Sequence, residues 1–153
     1  MLHVDRRAGS SVDVRESRNP IQRYLDDARG YAKPGRVPPA VQARVVPGFC
    51  RNAVEAAAAN IVRRRAVETG GSLEEADEQL TDARTLRETL ALALFGDAGR
   101  QSDVGPEVRK RYGATAASLV TELNRGAHGE LDGPTLKRLP DSTRDFIHNQ
   151  MAR

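Results

Sequence analysis

The 153-residue sequence predicts an all-α bundle of five to seven helices preceded by a weak N-terminal β-hairpin. Three observations carry this. Apolar residues recur at i, i+3, i+4 and i+7 in successive windows along most of the chain. Gly and Pro clusters separate those windows. Aromatic residues make up only 4% and Trp is absent. Small side chains must therefore do the packing, which suits close helix–helix contact better than a β-sandwich.

Residues 1–17 stand apart from the rest. Leu2, Val4, Val12 and Val14 alternate with polar residues on either side of Ala8-Gly9-Ser10-Ser11, a weak hairpin pattern. An isolated hairpin is marginal in water. It lies on the helical body, or it belongs to a sheet outside this chain, which would then be the tail of a larger protein.

Residues 18–46 hold a first helix and a Pro-rich linker. Ser17 or Asn19 caps the helix and Pro20 opens it. Ile21, Tyr24, Leu25 and Ala28 give it one apolar face through about residue 32. Three prolines between Pro34 and Pro39 stop it. A short turn is expected at Ala40–Val45, before Pro47-Gly48.

Residues 47–130 form the helical core. A helix begins at Phe49, carries Val54, Ala57, Ala58, Ile61 and Val62 on one face, and ends at Gly70-Gly71. Ser72 and Glu75 make a capping box for the next helix. Thr81–Phe95 reads as one helix closed by Gly96. A polar loop over 96–105 leads to a short helix from Pro106 to Tyr112, then a longer one from Ala114 to about Ala127. In residues 131–153, Leu136 and Leu139 fit a short turn, and Asp141 or Ser142 caps a last helix through Met151.

Composition excludes several classes. No stretch approaches the ~18 apolar residues of a membrane span. No apolar leader follows Met1, and a single cysteine, Cys50, excludes an intrachain disulfide; a cytoplasmic location is expected. The three histidines are scattered, so neither a metal nor another cofactor is expected. No phosphate loop, GxGxxG, HExxH or GxSxG motif is present.

Net charge is +3 and unevenly spread. Residues 1–70 hold 13 Lys+Arg against 7 Asp+Glu, and residues 71–153 hold 11 against 14. The basic half reads as a phosphate-facing surface, as one side of a self-complementary association, or as solvated surface. Arg63, Arg64 and Arg65 are candidate phosphate contacts. They also suit a helix C-terminus, where the dipole favours cations.

Two stretches carry candidate chemistry. Arg51 and Glu55 stand at i, i+4 on the Ala-rich helix, as an ordinary pair or as inward groups orienting a neighbour. Asn124 and His128 stand at i, i+4 near the end of another helix, with Glu122 and Arg125 beside them. A histidine can serve as acid or base near neutrality, and an arginine can hold a phosphate. The plainer reading makes Asn124 and His128 helix-end caps.

Phe49–Ala56 resembles the first core helix of HEPN-like domains, especially of the DUF4145 kind. Leu119–Gly129 resembles their closing helix, which ends in an N-x-x-x-H-G pattern met here by Asn124, His128 and Gly129. The resemblance implies a helical bundle that forms a homodimer, in a bacterial defence or toxin–antitoxin setting. In active members, which are metal-independent ribonucleases, Arg and His meet across the dimer interface. Other members are interaction or nucleotide-binding modules. The resemblance thus implies a module linked to RNA or to an ATPase. The alternative is a ribonuclease with His128 as acid/base, Arg125 on the phosphate, and Asn124, Glu122, Arg51 and Glu55 in support. Where active members carry Arg before the Asn, this chain has Leu123. Arg125 is about 200° further around the helix and would serve only if the helix unwinds at Gly126. The same segments are similar to the C-terminal part of SMC-like or AAA-type bacterial ATPases, which would make the partner ATPase a parent chain.

Overall fold

A computed structural model of the chain describes residues 19–151. The expected hairpin lies outside the described residues. Within them the protein is all-α, with seven α-helices: α1 (Pro20–Tyr31), α2 (Pro39–Glu68), α3 (Leu73–Asp82), α4 (Leu86–Phe95), α5 (Val104–Tyr112), α6 (Ala114–Gly126) and α7 (Gly133–Phe146). A 3₁₀ segment, Ala98–Asp103, precedes α5, and a π turn, Ile147–Met151, follows α7.

α2 is the axis of the bundle. Its 30 residues span about 45 Å. It packs against α1, α3, α4, α6 and α7, while α5 closes the far side against α4 and α6. Small residues make this close assembly workable: Cys50, Ala53, Val54 and Ala58 on α2 are fully buried, against Leu25, Leu86, Leu90, Leu123 and Leu139 from its neighbours.

Local chemistry sets most of the ends. The Asn19 side chain accepts from the Gln22 N–H at 3.0 Å to start α1. Ser72 Oγ accepts from the Glu75 N–H at 3.3 Å to start α3. Gly96 closes α4 at φ +74°, a left-handed conformation that only glycine adopts without strain. Asp132 starts α7 by accepting from the Thr135 N–H at 2.9 Å. Hydrogen bonds from the Thr135 side chain and backbone hold its carboxyl below the usual carboxylate range. That cap is in place at neutral pH and is lost as pH falls through the lowered value.

Three expected boundaries are corrected. The turn over 40–45 and the break at Pro47 do not occur: α2 starts at Pro39 and carries Pro47 inside it. The turn at 136–139 and the separate last helix are one helix, α7, with Pro140 inside. Both prolines are buried, so each ring gains packing that offsets the hydrogen bond its missing N–H cannot make. The expected helix Thr81–Phe95 is instead two elements, broken at residues 83–85. Thr85 restarts the chain as α4, its Oγ1 accepting from the Glu88 N–H at 3.1 Å. The expected polar loop over 96–105 contains the 3₁₀ turn.

The tightest seam joins α2 to α6. A Cβ placed on Gly126 would stand 2.3 Å from Pro47 Cβ and 2.8 Å from its Cγ. Gly126→Ala is expected to destabilise the protein by about 1–3 kcal/mol through overpacking. Gly48→Ala, on the exposed side of α2 with no atom within 4 Å of the added Cβ, should stabilise by about 0.5–1 kcal/mol. Urea unfolding of the two variants checks both signs.

Candidate functional site

The closing segment of α6 and the early part of α2 do meet. Besides the Gly126–Pro47 contact, Arg44 Cγ lies 3.6 Å from the position a Cβ on Gly129 would take. α6 ends at Gly126, and the chain continues in a tightened turn. Ala127 N–H donates to the Asn124 carbonyl, His128 N–H to Arg125 and Gly129 N–H to Gly126, each three residues back. Asn124 and His128 therefore do not share the regular helical face expected of an i, i+4 pair.

The candidate side chains are not brought together. His128 is exposed, and its side chain has no hydrogen-bond or ion-pair partner among the described residues. Asn124 is half-buried. Arg125 is exposed and faces Glu130, Nε to Oε2 at 3.5 Å. Glu122 is engaged by Arg138 of α7, whose Nη1 donates to Oε1 at 3.4 Å and whose Nη2 donates to the other oxygen. Arg51 Nε donates to Glu55 Oε1 at 2.6 Å, and its Nη2 reaches the Arg84 carbonyl at 3.5 Å. Arg51 and Glu55 thus form the ordinary i, i+4 pair and serve the junction between α3 and α4. The basic residue that does stand next to the His128-Gly129 turn is Arg44. Sequence reasoning missed it, because the expected turn at 40–45 removed it from any helix.

The arginine triplet divides three ways. Arg63 Nε donates to Asp77 Oδ1 of α3 at 2.7 Å. Arg65 Nη1 donates to the Leu92 carbonyl at 3.0 Å and its Nη2 to the Ala93 carbonyl, closing the last turn of α4. Both guanidinium groups thus have a structural task within the bundle. Arg64 is exposed and has no such partner among the described residues.

Cys50 is fully buried on α2. Burial pushes its thiol up to about 12, and a hydrogen bond with the Thr143 side chain lowers it only in part. It is a packing residue, not a nucleophile.

Among the described residues no cluster of three or more His, Cys, Asp or Glu is arranged to hold a metal. No buried side-chain nitrogen or oxygen among the described residues lacks a partner. No helix there is long and apolar enough to cross a membrane. Compared with family models, with curated proteins and with solved structures, the chain has no match in any of the three.

Two expectations follow. Native Cys50 should alkylate about a thousandfold more slowly at pH 8 than in the urea-unfolded chain, by mass spectrometry with iodoacetamide. Arg65→Met should cost about 1–2 kcal/mol in urea unfolding, because two α4 carbonyls lose their charged donor. Arg63→Met, which removes an exposed pair, should cost less than about 1 kcal/mol.

Proposed function

We propose that the chain is a HEPN-like helical interaction module that self-associates and works with RNA or with a partner ATPase. One observation carries this reading. The Asn124–Gly129 segment, which resembles the closing signature of that family, meets α2 through Gly126 and Pro47, while its polar side chains serve other contacts or face solvent. The signature thus has a packing role that does not depend on chemistry. Glu122 and Arg51, the groups that would support an acid/base centre, are held by Arg138 and by Glu55.

A second reading, a metal-independent ribonuclease, is favoured by a different observation. Arg44, Arg125 and His128 are exposed on the segments that meet where α6 ends. In such an enzyme a second copy would complete the centre, with His128 as acid/base and Arg125 or Arg44 on the phosphate.

Light scattering of the full chain, followed by incubation with labelled RNA in EDTA, separates the two. The module reading expects a dimeric mass and intact RNA with both the wild type and His128→Ala. A monomer at micromolar concentration would remove self-association. Cleavage by the wild type that disappears in His128→Ala would replace the module with the ribonuclease.

A further inference from the structure

We draw no further inference here: the strongest candidate, the groove of about 220 Å³ where the start of α1 meets α2 and the π turn after α7, walled by half-buried Ile21 and Ile61, carries none, because nothing in the structure shows what covers it.

Discussion

The absence of a side chain at Gly126 is the constraint on which the arrangement rests. It allows α6 to come down on the buried ring of Pro47 with no room for one more carbon. Pro47 in turn sits inside α2, where it removes one backbone hydrogen bond. The proline is tolerated because its ring is buried, and it is buried because residue 126 has no Cβ. Each residue makes the other acceptable. The contact also fixes where α6 ends, and so where Asn124, Arg125 and His128 stand relative to α2. The resemblance to a family closing motif is therefore legible as packing before it is legible as chemistry.

Electrostatics adds register more than stability. The basic first half of the chain meets the more acidic second half within the molecule. Arg29 of α1 donates to Asp141 of α7, and Arg63 of α2 to Asp77 of α3. Both pairs are largely solvent-exposed, so each contributes little to the free energy of folding. What they do is orient α1 against α7 and α2 against α3. Arg65 differs in kind, since it donates to two carbonyls in the last turn of α4: Ala93, and Leu92, which also accepts from the Gly96 N–H. Part of the charge asymmetry seen in the sequence is thus answered internally, which reduces what it says about nucleic acid.

Element type was legible over most of the described chain, because apolar spacing at 3.6 residues is a local property. So were the start at Ser72 and the stop at Gly96, where one side chain or one φ angle decides, and Asn19 was one of the two caps offered for the first helix. The errors fall where tertiary packing overrides a local rule. Pro47 and Pro140 read as breaks because nothing in sequence tells that each ring will be buried. The break at 83–85 is different: Thr85 and Glu88 have the capping spacing, and the Thr85 cap is made, so the signal was there and the apolar run obscured it. For the site, the close approach at Gly126 rests on its lack of a side chain against Pro47. The directions of Arg51, Arg125 and Glu122 were not readable, because each depends on an acceptor or donor supplied by a distant or newly formed turn.

The arginine triplet shows how one sequence feature can hold several roles. Consecutive residues on a helix diverge by about 100°, so Arg63, Arg64 and Arg65 cannot share a partner. α3 lies within reach of Arg63, and the C-terminal carbonyls of α4 lie within reach of Arg65. Arg64 points between those neighbours, to a cleft that Arg65 and Arg111 also line. Arg63 and Arg65 are explained by the fold itself. Arg64 is an exposed cation near the C-terminal end of α2, and its side chain has no hydrogen-bond or ion-pair partner among the described residues.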